Sequence, residues 1–566
     1  MGIVCLGKVG ALMVAATSSA RVVDCFVMPT VTPHKGVCKQ GLRQQRGPCS
    51  NNSCYPRPAA SSADVNNEAV LPPKDDTFGP AAIVREVLTA PDVPEGVDRY
   101  DGVGGQTGGI WRSRVIGFVP STVVASPVGT KWLANEEALG KAVSNWPAST
   151  TQLLGEKSLV NLGSVPAAYK SARKVFNTAF SPSAVVELQP IVESSLEKRV
   201  LQWEKLAESG EEVKFLDEIC AFTIDTIIRC FLGDYATDDV TEDISRLVPS
   251  VSAGVLSIAR RFPWPLNRLP ILGFGPAMDA RSNFQGILKR VLRERRADMA
   301  SAVDSKRLRS AGVLDTFLTM QKQQMDEGGP GEGQAVFDDA FIMDNFLTSV
   351  FAGYDTTSVT ISRTLQMLGS AEGAHLADKI LQELSEGDLA TGNHSDSTTN
   401  EDGKQASGIF GAYPLLDAVV VETIRFYPPA AGVFRQAVQD LTFNGFLIPA
   451  GTTIAWNLSQ GFRAKSLYPE PEKFCPFRFL HGNQSKDDLP TITPTGIKQP
   501  RPELFGFGKH MCPGRELAKL EIIVFLKTFL SKFEYDLVEG QSFKSTLPTS
   551  APKDRLRIVL KTKSVV

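Results

Sequence analysis

The sequence predicts a mainly α-helical fold with small β-sheets, built as one large domain behind a separate leader. Three observations carry this expectation. Helical character persists from Asn135 to about Arg309, with Pro182, Pro263, Pro265 and Pro270 cutting it into segments. A second, uninterrupted helical stretch runs from Asp338 to Ser370. Strand-like patterns are short and confined to Ile110–Ala125, to residues 432–458 and to the end of the chain.

Residues 1–63 differ in composition from everything that follows. They hold seven basic residues (Lys8, Arg21, Lys35, Lys39, Arg43, Arg46, Arg57) against Asp24 alone, and five of the nine cysteines. The apolar run Val9–Ala16 between Lys8 and the small residues Ser18, Ser19 and Ala20 has the form of a signal peptide. The basic, acid-poor remainder has the form of a transit peptide, and together they suit import into a complex plastid. Simple entry into the secretory pathway, ending at the endoplasmic reticulum, is the alternative. No stretch of eighteen apolar residues occurs, so a membrane-spanning helix is not expected, whereas monotopic membrane association stays open.

Residues 64–104 form a linker punctuated by Pro72, Pro73, Pro91 and Pro94, and the main domain is expected over 105–566. The polar run 386–410 reads as a disordered insertion in it. A helix with apolar positions Leu415, Leu416, Val419, Val420 and Ile424 follows, then short strands, one more helix after Cys512, and a hairpin ending near Leu560. A net charge of −2 gives no basic surface for nucleic acid. Cys220, Cys230, Cys475 and Cys512 are too few for a disulfide framework, and no Cys or His spacing matches a zinc site.

Three constellations carry chemistry. Phe505-Gly506-Phe507-Gly508-Lys509-His510-Met511-Cys512-Pro513-Gly514 sets a cysteine in a glycine-containing loop that opens an apolar helix, with Pro513 suited to the first helical position. Backbone N–H groups at a helix start favour a thiolate. Taken alone, a buried structural cysteine is the better reading. Glu422 and Arg425 sit three apart on one face of an otherwise apolar helix, and a buried pair needs further partners, which Arg478 in Phe474–Phe479 offers. Mid-helix, Ala352-Gly353-Tyr354-Asp355-Thr356-Thr357 is locally poor helix, and predicts a distortion there.

In combination these segments resemble the cytochrome P-450 superfamily, from about Gly105 to Leu560. Phe505, Gly508, His510, Cys512 and Gly514 fill its haem-binding signature, with His510 where arginine is usual and Phe507 in place of a common glycine. Glu422, Arg425 and Arg478 match its structural triad. Asn145–Lys174 is similar to the retinoic-acid-hydroxylase branch, with Tyr169 where that branch has histidine before the basic cluster.

The resemblance implies haem b (iron protoporphyrin IX), with Cys512 as the iron ligand. It also implies Arg173 and Arg435 at the haem propionates, a further contact from His510, and Gly353 opening space for dioxygen. Thr356 and Asp355 would be the alcohol–acid pair that delivers protons, and Trp146 a substrate-pocket candidate. Thiolate ligation favours O–O cleavage. The implied activity is hydroxylation or epoxidation of an apolar, isoprenoid substrate (retinoid, carotenoid or sterol-like) by dioxygen and two electrons. No flavin or nicotinamide domain is visible, so the electrons would come from a ferredoxin or a flavoprotein reductase. A hydroperoxide-rearranging haem-thiolate enzyme is one alternative. A non-catalytic haem-binding sensor is another, of a different class.

Overall fold

Prolines and caps set the helix starts, and apolar stripes set which faces are buried. The computed structural model describes residues 110–115, 119–124, 127–146, 148–255, 274–301, 310, 312–391, 413–430, 432–457, 461–464, 467–480, 504–506, 508–546 and 549–563. The expected leader and linker lie outside these residues, as do Pro263, Pro265, Pro270 and residues 392–410.

The strand-like stretch Ile110–Ala125 is an antiparallel pair, β1 (Ile110–Val115) with β2 (Val119–Val124), followed by helix α1 (Pro127–Ala138) and strand β3 (Ala142–Ser144). Helices α2 (Ala148–Leu154), α3 (Leu159–Leu162), α4 (Pro166–Ala179) and α5 (Pro182–Ser209) come next. Pro166 and Pro182 open their helices, where a missing N–H costs nothing. Ser181 caps α5 by accepting from the Ala184 N–H, and Gly210 ends it at φ 63°. Strand β4 (Glu212–Lys214) leads into α6 (Phe215–Leu232), α7 (Asp238–Val255), α8 (Phe274–Ser301) and α9 (Val313–Asp326). The region read as helical from Asn135 therefore also contains β3 and β4.

Helix α10 (Asp339–Leu368) runs through the core, and Asp338 caps it by accepting from the Phe341 N–H at 2.9 Å. It is assigned as one helix through Ala352–Thr357, where the sequence predicts a distortion. The threonine hydroxyls are absorbed by the carbonyls one turn back: Thr356 donates to Ala352 O at 2.8 Å, Thr360 to Thr356 O at 2.9 Å and Thr364 to Thr360 O at 2.9 Å. Helix α11 (Ala374–Thr391) overruns the start expected for the insertion. Leu376, Ile380 and Leu384 recur at four-residue spacing and are buried, so the helix carries on into the polar run.

Helix α12 (Pro414–Phe426) starts at a proline, and Glu383 of α11 accepts from the N–H groups of Leu415 and Leu416 at 2.7 and 3.0 Å. Strands β5 (Gly432–Ala437), β6 (Leu441–Phe443), β7 (Phe446–Ile448) and β8 (Thr453–Asn457) follow. Asn444 and Gly445, at φ 49° and 80°, make the two-residue turn between β6 and β7. The last elements are α13 (Arg515–Lys532), β9 (Phe533–Leu537), β10 (Ser545–Thr546), β11 (Ala551–Pro552) and β12 (Arg557–Thr562).

The five-stranded sheet has the order β1-β2-β8-β5-β3, antiparallel except for the parallel pair β2–β8. In it Ser144 of β3 lies opposite Arg435 of β5, which fixes where that arginine stands. The C-terminal strands do not close on each other as a simple hairpin: β12 pairs with both β9 and β4. The main core surrounds α10. On one flank Trp203 of α5 packs among Phe215, Phe525, Phe529 and Phe533, with ring centroids 5.2–6.3 Å apart. No described helix is long and apolar enough to cross a membrane.

Candidate active site

The Cys512 loop is shaped by its own backbone. Gly506 (φ 80°) and Gly508 (φ 56°) take left-handed conformations. Gly508–His510 forms a 3-10 turn, and the Cys512 N–H donates back to Phe505 O at 2.8 Å. Helix α13 begins at Arg515 with Gly514 as its cap, so Pro513 sits in the turn before the helix and not at its first position. Cys512 is half-buried and unbridged. Burial pushes its thiol up, against the Gly514 backbone N–H and the charges of Arg173 and Arg515. A coordinated metal cation reverses that preference.

Glu422, Arg425 and Arg478 come together as one ion set, each no more than 3% exposed. Glu422 accepts from Arg425 Nε and Nη2 at 2.7 and 2.9 Å, from Arg478 Nε at 3.2 Å and from the Cys475 N–H at 2.8 Å. The remaining guanidinium donors reach backbone carbonyls of Phe462, Pro469, Pro471 and Lys473. With its partners supplied, the burial of three charges is compensated.

On α10 the central turn faces open space. Ala352 is exposed midway along a helix that is otherwise mostly buried, and Phe351, Gly353, Asp355 and Thr356 are half-buried. Asp355 and Thr356 are consecutive, so their side chains diverge by about 100° around the helix. Burial pushes the Asp355 carboxyl up; the Thr549 hydroxyl, which donates to it, and Arg555 pull it down. Thr356 uses its hydroxyl on Ala352 O. The acid and the alcohol therefore engage different neighbours. Gly353 faces the neighbouring helix: a β-carbon there would lie 2.9 Å from Ile227 Cδ1 of α6.

Arg435 is buried on β5, and its Nε is 2.6 Å from Glu137 Oε1 of α1. The same oxygen is 3.0 Å from His510 Nε2. All three atoms are buried at ion-pair distance without the alignment of a hydrogen bond. Burial works to raise the Glu137 carboxyl, but His510 and Arg435 overcome it and hold the group below the ordinary range. Arg173 of α4 is half-buried, donating from Nε to Asn177 at 2.9 Å and from Nη1 to Tyr169 Oη at 3.4 Å. Trp146 lies half-buried between β3 and α2.

These residues fit a haem group on two counts. The buried Arg435 Nε, without an aligned hydrogen-bond partner, matches the need to hold a carboxylate. A cysteine in a glycine loop and a helix turn opened by Ala352 supply a soft ligand and room for a flat molecule. Cys512 would be the ligand, with Arg173 and Arg435 toward the propionates.

Sequence reasoning missed three residues. Glu137 carries no local signal, being one of two adjacent acids near a helix end. Thr549 reaches Asp355 only through the fold. Glu521 was visible as an acid in the apolar run Leu520–Leu526 of α13; it is buried beside the Thr357 hydroxyl, and burial pushes its carboxyl up to about 8.

The family model for cytochrome P450 matches residues 106–564. Taxoid 14-beta-hydroxylase from Taxus cuspidata is 28% identical over 430 residues, 75% of this chain and 74% of that protein. Abscisic acid 8'-hydroxylase 1 from Arabidopsis thaliana is 27% identical over 462 residues, 80% of this chain and 84% of that protein. A solved cyanobacterial CYP120A1 with retinoic acid bound shares the fold at TM-score 0.66 and 24% identity, covering 88% of this chain and all of that one. With the Cys512 loop, the Glu422 ion set and the opened turn of α10 in the family's order, the chain belongs to the cytochrome P450 family of haem-thiolate oxidoreductases.

Proposed function

We propose that this P450 monooxygenase hydroxylates or epoxidises an apolar isoprenoid, using dioxygen and two electrons delivered by a separate redox protein. The observation that carries the substrate class is the chemistry of its relatives. They are named for taxoid, abscisic acid and beta-amyrin oxidation, and all three substrate classes are isoprenoids.

Bound haem b supplies dioxygen activation and oxygen insertion, and its thiolate ligand favours O–O cleavage. The chain's residues do the rest. Cys512 would hold the iron, and the Glu422 ion set keeps α12 fixed against the Cys475–Phe479 segment. Arg173 and Arg435 would neutralise the propionates. At the open turn of α10 the Thr356 hydroxyl would exchange its bond to Ala352 O for one to a water, and Asp355 would resupply the proton through water. Its raised carboxyl suits that exchange. The half-buried Trp146 contributes an apolar wall to the substrate.

The leader composition supports plastid import with a ferredoxin as donor. Residence in the endoplasmic reticulum with a flavoprotein reductase is the alternative. A fluorescent fusion of residues 1–104 tests the destination.

Spectral titration of the purified holoprotein against retinoids, carotenoids, sterols and fatty acids tests the substrate class. Saturable displacement of the iron's water by an isoprenoid is expected, and response to fatty acids alone would sink the reading. Cys512→Ala should abolish the thiolate band of the reduced carbon-monoxide complex.

A further inference from the structure

Two departures from the expected pattern, His510 in the haem-binding signature and Tyr169 in the branch-like segment, touch each other. Their ring centroids are 4.2 Å apart. Around them the turn two residues ahead of Cys512 is gripped from several elements. Glu137 of α1 meets His510 Nε2 through its carboxylate at 3.0 Å and accepts from Lys509 Nζ at 3.1 Å through its backbone carbonyl. From the other side Tyr169 Oη of α4 donates to Lys509 O at 2.9 Å. Gly163, just after α3, completes the box: a β-carbon there would lie 3.2 Å from His510 Cε1 and 2.7 Å from Ser144 Cβ.

Nε2 of His510 lies 3.0 Å from Glu137 Oε1, so that end of the ring is turned toward α1. Arginine, with five donors in a fork, could serve Glu137 and a propionate together, but it would replace the ring that packs on Tyr169 and lies close to Gly163.

We propose that Glu137 and Tyr169 are positioning residues for the iron ligand, and that His510 is the handle by which they hold the Cys512 loop, not a propionate contact. This rests on the haem-thiolate reading. The two departures are then one compensated exchange: the histidine surrenders a contact to the cofactor and gains an anchor for the loop.

The test uses the holoprotein with two readouts besides turnover. One is the rate of haem transfer to an excess of apo-globin. The other is the share of the reduced carbon-monoxide complex in the thiolate-ligated rather than thiol-ligated form. His510→Arg restores the usual family residue, yet is expected to speed haem loss by about tenfold and to lower the thiolate share. Glu137→Gln and Tyr169→Phe, which keep shape, should move both readouts in the same direction. The Glu137→Gln/His510→Gln pair should be no worse than its worse single member, because both act on one contact. Unchanged or slower haem loss in His510→Arg would overturn the proposal, as would strict additivity in the double variant. A wild-type protein with no thiolate band would instead overturn the haem-thiolate reading, and the proposal with it.

Discussion

The ion set around Glu422 and the Ala352–Thr356 turn of α10 are both rich in polar groups, but one is closed and the other open. Glu422 meets two arginines and the Cys475 N–H, with its oxygens fully employed. The α10 turn exposes Ala352 and leaves Thr356 bonded only to its own helix. The difference separates two tasks. Holding the chain segments that frame the iron ligand requires groups with no alternative partners. Exchanging protons and accommodating substrate require groups whose present partners are weak. A backbone carbonyl one turn back is such a partner.

The largest expected effect comes from breaking the closed region. Glu422→Ala strands two buried guanidinium groups and should cost about 3–5 kcal/mol. The expected outcome is protein that fails to retain haem, checked by thermal melting and by the ratio of haem to protein absorbance. A folded, haem-loaded Glu422→Ala variant would remove the contrast on which the comparison rests.

Next comes the open region, where stability should hardly move and turnover should. Thr356→Ala should leave melting within about 0.5 kcal/mol. Removing its hydroxyl should lower product formation by about 100-fold or more, the range for a lost proton-transfer group. Measuring dioxygen consumed against product formed checks this, since consumption should persist while product falls. If melting drops with activity, the turn is structural and the two regions are alike.

How much of this was legible depended on sequence spacing. The Glu422–Arg425 pair is local, and Arg478 follows in a short aromatic segment, so burial could be inferred from the apolar residues around them. Cys512 alone reads better as a structural cysteine, and the family resemblance carried by the three segments together made it the iron ligand. The region of α10 was found, but its internal geometry was not. Whether Asp355 faces Thr356 or Thr549 depends on where the C-terminal strands return. Glu137 was invisible because its partners, Arg435 and His510, lie about 300 and 370 residues away. The start of the insertion, expected at 386, falls inside helix α11 for a physical reason: the buried stripe Leu376, Ile380 and Leu384 holds the helix that runs on to Thr391.

Glu521 lies between the two regions in kind, a buried acid that is neither fully paired nor open. One of its oxygens has no partner, and the titratable group facing it from α6 is Cys230. Its carboxyl is raised from an ordinary 4.5 to about 8 in the folded state. Between these values the folded protein holds a proton that the unfolded chain has lost. Stability from this group therefore falls as pH rises from about 4.5 through 8. Glu521→Gln removes that slope. The variant should melt close to wild type at pH 5 and be more stable by about 1–2 kcal/mol at pH 8. The amide's own unmet hydrogen bonds offset part of the gain. Equal melting curves at both pH values would mean the acid is hydrated and belongs with the open region.

The smallest effect separates two roles for Gly353. Its missing β-carbon would meet the end of Ile227, with Cδ1 2.9 Å and Cγ1 3.9 Å away, and that end of the side chain can turn aside. Alanine also gains roughly 1 kcal/mol of helix propensity over glycine, which offsets the crowding. Gly353→Ala should therefore change stability by less than about 1 kcal/mol in either direction. Because the added methyl points at α6 and not toward Thr356, the split between dioxygen consumed and product formed should also stay near the wild-type value. A large fall in product with unchanged melting would show that the methyl reaches the dioxygen site. Gly353 would then belong to the open region. Pairing it with Ile227→Val settles the matter, since a packing conflict is relieved by the smaller partner and a blocked oxygen site is not.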